Sequence, residues 1–167
     1  MLANARDYKE ELERKMRATW GNKKYWYYHN CSYFRPVVVE EDTWNKTQFV
    51  SLDASGNVAG YLAYGVEREG RYVTYLEIIN FTDDRGFGLD VMRMVKDIFE
   101  KYRYRKIVFS VIIGNPIEPK YDRLVLRYGG RIVGTYKEHA MLPDGIMYDE
   151  KFYEIRRVDY LVHKKRR

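Results

Sequence analysis

The fold is decided by a strand that runs into a glycine-rich turn, and this stretch reads Leu76-Glu77-Ile78-Ile79-Asn80-Phe81-Thr82-Asp83-Asp84-Arg85-Gly86-Phe87-Gly88. Leu76 to Phe81 is rich in β-branched and aromatic residues, which is typical of a strand. From Leu89 to Tyr102 the apolar residues recur at helical spacing opposite charged ones, so this segment is predicted to be a helix. A turn before a helix presents free N–H groups that can bind an anion, with Arg85 as an added cation. Thr82 to Gly88 is therefore a candidate phosphate-binding loop, and a plain turning loop is the alternative.

The strand belongs to a group of three. Phe49 to Leu52, Val58 to Val66 and Tyr72 to Phe81 alternate with turns at Ser55-Gly56-Asn57 and Arg68-Glu69-Gly70. These turns contain the Gly and Asn residues that tight β connections need. The pattern predicts an antiparallel meander.

The first 46 residues form a more variable part of the chain. Asp7 to Arg17 has the spacing of an amphipathic helix, and Arg35 to Val39 is predicted to be a short strand. Between them lies the aromatic run Tyr25-Trp26-Tyr27-Tyr28, which suits a core or a pocket wall, with a base-stacking platform as the alternative.

The second half of the chain alternates strands and helices. Lys106 to Ile113 is nearly all apolar, which predicts a central strand covered on both faces. A helix is predicted from Pro119 to Tyr128, stopped by Gly129-Gly130. Two last strands follow, at Arg131 to Thr135 and Lys151 to Val158. We therefore expect an α+β fold, a mixed and mostly antiparallel twisted sheet flanked by helices, in a single domain of residues 1–167.

Composition excludes several classes of protein. The chain has 167 residues, 46% hydrophobic and 32% charged, which is the balance of a globular domain. Its net charge is +6, but four of those charges lie in the basic tail of residues 163–167, so nucleic acid is not expected as the main partner. A single Cys31 and the lack of an export signal or a long apolar run predict a reduced, cytoplasmic setting without a membrane span, and no metal site is expected.

The order of these elements, from about Phe49 to Ile155, resembles the GNAT family of acyl-CoA-dependent N-acetyltransferases. The pyrophosphate loop of that family reads Arg/Gln-x-x-Gly-x-Gly/Ala, and the ungapped counterpart here is Arg85-Gly86-Phe87-Gly88-Leu89-Asp90. Asp90 departs from that pattern. An alternative register places Gly86 and Gly88 on the two glycines of the motif, and Asp83 then replaces the leading Arg or Gln. A carboxylate close to the phosphates would repel them unless it points away from the loop.

The resemblance implies acetyl-CoA as the cofactor. The pantetheine arm would pair with the backbone of the strand before the loop, and the pyrophosphate would bind the loop itself. The cofactor-binding residues implied are Ile78, Ile79, Asn80, Phe81, Arg85, Gly86, Phe87, Gly88, Leu89 and Asn115.

The resemblance also implies catalytic residues. Glu77 occupies a position where relatives often carry the carboxylate that deprotonates the amine, and a solvent-facing strand residue is the alternative. The tyrosine that protonates the departing thiolate would fall on Val125, which cannot give a proton. Tyr121 and Tyr128 lie one turn before and one turn after it, so either is a candidate acid, or a core residue.

The sequence thus predicts transfer of an acetyl group to a primary amine of a small molecule or a protein. The alternative is a catalytically degenerate GNAT-fold module that binds CoA or a partner. The acceptor pocket is expected between Trp20 to Phe34 and the loop from His139 to Tyr148, and aromatic residues near Trp26 suggest a possible homodimer.

Overall fold

The computed structural model describes residues 1–30, 35–41, 44–82 and 86–165. The strands within these residues are β1 (Leu2–Asn4), β2 (Lys46–Leu52), β3 (Val58–Glu67), β4 (Tyr72–Asn80), β5 (Lys106–Ile112), β6 (Arg131–Met141) and β7 (Met147–Arg156). The helices are α1 (Lys9–Arg17), α2 (Trp26–His29), α3 (Gly86–Glu100), α4 (Glu118–Arg127) and α5 (Arg157–Lys165), with 3-10 turns at Ala5–Tyr8 and Lys23–Tyr25. The strands form one sheet in the order β1-β2-β3-β4-β5-β7-β6.

Neighbouring strands are antiparallel except for β4 and β5, which are parallel and share the single pair Val73↔Ile107. Next to that pair β4 carries a bulge, because Gly65 pairs with Tyr75 while Val66 pairs with Val73. A bulge bends the strand that carries it. Beyond Val73 the two strands separate, so the sheet is open at their carboxyl ends. The α+β class, the mixed sheet and the meander are confirmed.

Apolar side chains are buried on both faces of the sheet. Along β3, Leu62 and Tyr64 join the core under α3, while Tyr61 and Ala63 join the core under α1. This alternation is what a strand with helices above and below requires. β3 is therefore the strand that is buried along nearly its whole length.

The prediction that β5 is covered on both faces is wrong. Ile107, Phe109 and Val111 are buried in the core under α3. On the other face Ile112 is buried, whereas Val108 and Ser110 are only partly covered. This second face borders the opening between β4 and β5 at Ser110. A continuous apolar run reports one fully buried face here and not two.

The segment Arg35 to Val39 is not a strand. Its backbone is held by the amide side chain of Gln48, which donates to the carbonyl of Val38 at 2.7 Å and accepts from the N–H of Glu40 at 2.8 Å. The side chain of Gln48 therefore makes the hydrogen bonds to this segment that a neighbouring strand would make in a sheet.

The sequence pattern does not predict the carboxyl-terminal helix α5, because its cationic end resembles a tail and its start resembles the end of a strand. Its Tyr160 is buried, stacks on Phe99 with ring centroids 4.7 Å apart, and donates to Glu100 at 2.7 Å. α3 also begins at Gly86, three residues before its predicted start, and β6 and β7 are longer than predicted. The two glycines of the loop therefore lie in the first turn of a helix.

No helix in the described part of the chain is both long and apolar enough to cross a membrane. Across those same residues, no group of three or more His, Cys, Asp or Glu side chains is arranged to hold a metal ion.

Candidate active site

A cleft of about 670 Å³ lies where β4 and β5 separate. Its walls come from β4, from the carboxyl end of β5, from the start of α4, from residues 24–30 and from Arg35. Of the residues singled out from the sequence, those that line it are Glu77, Ile78, Ile79, Asn80, Phe87, Asn115 and Tyr121. One edge of β4 pairs with β3. Beyond Val73 its other edge faces the cleft, and no strand of the described residues pairs with it there. Backbone groups of β4 are thus available to an extended ligand.

The amino terminus of α3 opens toward this cleft. Phe87 is buried and lines the cleft, and it packs where a Cβ on Gly60 would come within 2.2 Å of its ring. Gly88 is on the opposite side of the turn, where a Cβ would meet no heavy atom of the described residues within 4 Å. The first turn therefore has one residue anchored in the core and one with open space beside its backbone. Arg85 lies outside the described residues.

Asp90 points away from the loop. It is 5% exposed, and its carboxylate accepts a hydrogen bond from the Ser51 hydroxyl at 2.7 Å and pairs with the amino group of Met1 at 2.8 Å. Both partners lie on the sheet side of α3. The departure from the family pattern at Asp90 consequently puts no charge where an anion would bind the first turn.

Glu77 lies partly buried on the cleft wall and is surrounded by donors. Lys46 pairs with it at 3.0 Å, the Tyr61 hydroxyl donates to it at 3.3 Å, and Arg35 lies 3.8 Å away. Lys46 and Arg35 thus place two positive charges beside this carboxylate. Burial, and secondly the charge of Glu77, raises the pKa of Tyr28 on the same wall above its usual range. Glu77 would have to release Lys46 before it could take a proton from an amine.

The two candidate tyrosines are separated by the structure. Tyr121 lines the cleft, its ring packs edge-on against Phe109 at 5.4 Å, and burial raises its pKa to about 12. Tyr128 instead stacks on Tyr160 at 4.9 Å, in a separate groove beside α5. Val125, the position implied by the family spacing, is buried in the core. Only Tyr121 is brought together with Glu77.

Of the remaining predicted residues, Asn115 lines the cleft and the others lie outside it. Asn115 lines the cleft, and its side chain accepts from the N–H of Ile117 at 3.1 Å, which shapes the turn into α4. Phe81 packs in the core under α1, and its carbonyl accepts from the Tyr25 hydroxyl at 3.4 Å. The side chain of Leu89 is 74% exposed and borders the groove beside α5, so only its backbone belongs to the turn.

Sequence reasoning missed a second carboxylate in the cleft. Glu150 of β7 lines it together with Ser110 of β5, whose hydroxyl donates to Glu150 at 2.5 Å. It also missed Lys46 and Arg35 as partners of Glu77. No local motif marks these residues, because they come from four separate segments.

The sheet that opens between β4 and β5, with α3 starting at the opening, has the fold of the GNAT N-acetyltransferases. The spermidine N-acetyltransferase from Vibrio cholerae, solved in complex with CoA and spermine, has a similar structure with a TM-score of 0.76 and 20% sequence identity, covering 96% of this chain and 97% of its own. A second structure from that organism, a spermidine/spermine N-acetyltransferase in complex with manganese ions, has a TM-score of 0.59 and 23% identity, covering 72% of this chain and 70% of its own. A probable acetyltransferase has a TM-score of 0.65 and 13% identity, covering 93% and 91%. The sequence matches no family model and no curated protein.

Proposed function

We propose that the protein is an acetyl-CoA-dependent N-acetyltransferase that acts on a primary amine of a small molecule or a protein. The observation that carries the proposal is the cleft itself, in which one edge of β4 is unpaired beyond Val73 and the first turn of α3 lies at the end of the opening. A neighbour with this fold was solved with CoA and spermine, which supports both the cofactor and an amine acceptor.

Each part of the cofactor has a matching surface. The pantetheine arm would add to the free edge of β4 between Leu76 and Asn80 through backbone hydrogen bonds. The pyrophosphate would bind the first N–H groups of α3, where the helix dipole favours negative charge and Gly88 leaves room for close approach. The thioester would then lie between β4 and β5, near Asn115 and Tyr121.

Acetyl transfer needs little covalent chemistry from the protein, since the thioester is already activated. Holding an amine against its carbonyl supplies much of the rate by proximity. When the C–S bond breaks, the thiolate needs a proton, and the Tyr121 hydroxyl is the proposed donor. With a pKa of about 12, that hydroxyl carries its proton throughout the neutral range.

The test is release of free thiol from acetyl-CoA across a panel of amines that includes spermidine and spermine, together with calorimetry of acetyl-CoA binding. The proposal expects binding and turnover with at least one amine. Binding without turnover by any amine would favour the degenerate CoA-binding module. Loss of both activities at millimolar acetyl-CoA would exclude the two functions together.

The possible homodimer is also a proposal, and the edge strand β6 supports it better than the region of Trp26. Ile132 and Val133 lie on β6, at the edge of the sheet, and each is more than half exposed. A second copy of the same edge could pair with it in an antiparallel arrangement, related by a two-fold axis. Light scattering should then give twice the chain mass, and Val133→Lys should reduce it to one chain. A monomeric wild-type chain would contradict the proposal.

A further inference from the structure

The cleft holds two carboxylates, and they differ in how much of their charge is already matched. Glu77 is 16% and Glu150 is 19% exposed at the side chain, so both are largely shielded from water. A shielded carboxylate is costly unless it is paired. Their partners therefore indicate which of the two is built to receive a cation from outside.

Glu77 is matched from within the protein. Lys46 contacts both of its oxygens, at 3.2 and 3.0 Å, and is itself only 18% exposed. Tyr61 donates to the same carboxylate, and Arg35 adds a second positive charge at 3.8 Å. An incoming ammonium would meet net positive charge on this wall.

Glu150 is not matched in this way. One oxygen accepts from the Ser110 hydroxyl, which is neutral. The other oxygen lies 3.6 Å from Nε2 of the half-exposed His139, which unlike Lys46 and Arg35 is a cation only when protonated, and it accepts no hydrogen bond within the described part of the chain. The pairing of Glu150 with Ile112 in the β5–β7 ladder fixes this side chain at the mouth of the cleft.

An aromatic ring also lines the cleft. Tyr27 is braced edge-on by Tyr148 of β7 with ring centroids 6.4 Å apart. The ring of Tyr28 lies on the wall of Glu77 and already has the Arg35 guanidinium 5.8 Å from its centroid, so it is not part of this surface. Aromatic faces attract ammonium groups. A carboxylate with one oxygen that accepts no hydrogen bond within the described residues, in the same cleft as the Tyr27 ring, suits the recognition of a primary ammonium.

We propose that Glu150, and not Glu77, binds the ammonium of the acceptor and takes its first proton. This rests on the proposed function. In the reaction, the ammonium gives one proton to the Glu150 carboxylate, which later releases it to water, and the neutral amine attacks the thioester carbonyl. As the C–N bond forms and the C–S bond breaks, the nitrogen gives its second proton to water. The thiolate takes a proton from Tyr121, and the Tyr121 phenolate is reprotonated from water. The products are the acetylated amine, free CoA and one proton.

The kinetic test compares Glu150→Gln with Glu138→Gln, which makes the same change of charge at an exposed residue of β6 outside the cleft. With the best amine of the panel, Glu150→Gln should lower kcat/KM for the amine at least tenfold and leave KM for acetyl-CoA within twofold. Glu138→Gln should leave both unchanged. A smaller effect of Glu150→Gln on the amine, or an equal effect of both variants, would overturn the proposal.

A binding test examines the ammonium site without requiring turnover. The CoA-loaded protein is titrated, with NMR detection, with 2-phenylethylamine and with the neutral alcohol 2-phenylethanol. The wild type should bind the amine at least five times more tightly than the alcohol, and Glu150→Gln should lose that preference. Equal wild-type affinities would overturn the proposal even if the variant fails to fold. A charge preference without thiol release from any amine would mean that the transferase function fails while the ammonium site remains.

Discussion

The Ser51 hydroxyl donates to the buried carboxylate of Asp90 at 2.7 Å and so ties β2 to the first turns of α3. Phe87 and Asp90 are three residues apart and both face the sheet, which fixes the rotation of the helix about its axis. Gly88 is thereby turned outward, where its backbone is accessible. Asp90, the residue that departs from the family motif, therefore helps to orient Gly88.

The link between Ser51 and Asp90 should contribute measurably to stability. Ser51→Ala leaves the Asp90 carboxylate buried without its hydroxyl donor, so the free energy of unfolding should fall by about 1–3 kcal/mol. Urea unfolding measures it, and Ser55→Ala in the exposed β2–β3 turn is the control. A double-mutant cycle with Asp90→Ala should give a coupling energy of about 1 kcal/mol or more. Additive effects would contradict a direct interaction.

Gly88→Ala should separate cofactor binding from stability. A methyl group there meets no protein atom of the described residues, and alanine is a better helix former by up to about 1 kcal/mol. We expect unchanged or higher stability and at least tenfold weaker binding of CoA, because the methyl group would lie where the pyrophosphate approaches. Calorimetry measures the affinity. Gly134→Ala, an equally open glycine on β6, is the matched control and should leave CoA binding unchanged.

Tyr121→Phe should slow the chemical step. The Tyr121 hydroxyl faces the cleft and makes no hydrogen bond with the described residues, so its removal should change the free energy of unfolding by less than about 0.5 kcal/mol. As the proton donor to the thiolate it should contribute about 100-fold to kcat. Steady-state kinetics with the best amine tests this. If Tyr128→Phe slows turnover and Tyr121→Phe does not, the assignment is reversed.

His29 should make the protein less stable in mild acid. Its Nε2 lies 2.7 Å from the Thr19 hydroxyl, its Nδ1 is buried with no hydrogen-bond partner among the described residues, and burial, with Arg35 second, lowers its pKa. The folded state therefore resists protonation. Above about pH 6.5 the lowered pKa of His29 does not change the free energy of unfolding. As the pH falls toward the lowered pKa, the unfolded state takes up a proton that the folded state does not.

Stability should accordingly fall with pH below about 6.5, by at most about 1.4 kcal/mol per pH unit from this group. Urea unfolding between pH 8 and 5 measures the slope. His29→Gln should reduce it, whereas His163→Gln, on the surface helix α5, should not. An identical slope in the wild type and His29→Gln would show that His29 titrates without cost.

Much of the fold was readable from local patterns. The meander, α1, α3 and α4 follow from hydrophobic periodicity and turn residues, because these elements bury one face each and their sequences record that face. Helix α5 could not be predicted from local patterns, because its buried contacts are with Tyr128, Phe99 and Glu100, which are distant in the chain. The strand prediction for Val37 to Val39 failed because the partner of this segment is the side chain of Gln48 and not a strand.

Only part of the candidate site could be predicted from the sequence. The glycines of the loop and Glu77 stand in one continuous stretch, so a motif could point to them. Glu150 is separated from Glu77 by 73 positions, and it reaches the same cleft only because β7 inserts between β5 and β6. No spacing rule connects residues that meet through a sheet crossover.

The amino-acid sequence on its own determined the meander, the helices α1, α3 and α4, and the phosphate-loop candidate, because each depends on residues that are neighbours along the chain. The tertiary structure alone decided which charges remain unmatched in the cleft. The pairing of Lys46 with Glu77, the inward turn of Asp90 and the free oxygen of Glu150 are set by distances between side chains from different strands and helices. Electrostatic energies depend on those distances and on burial, and neither is recorded in the order of the residues.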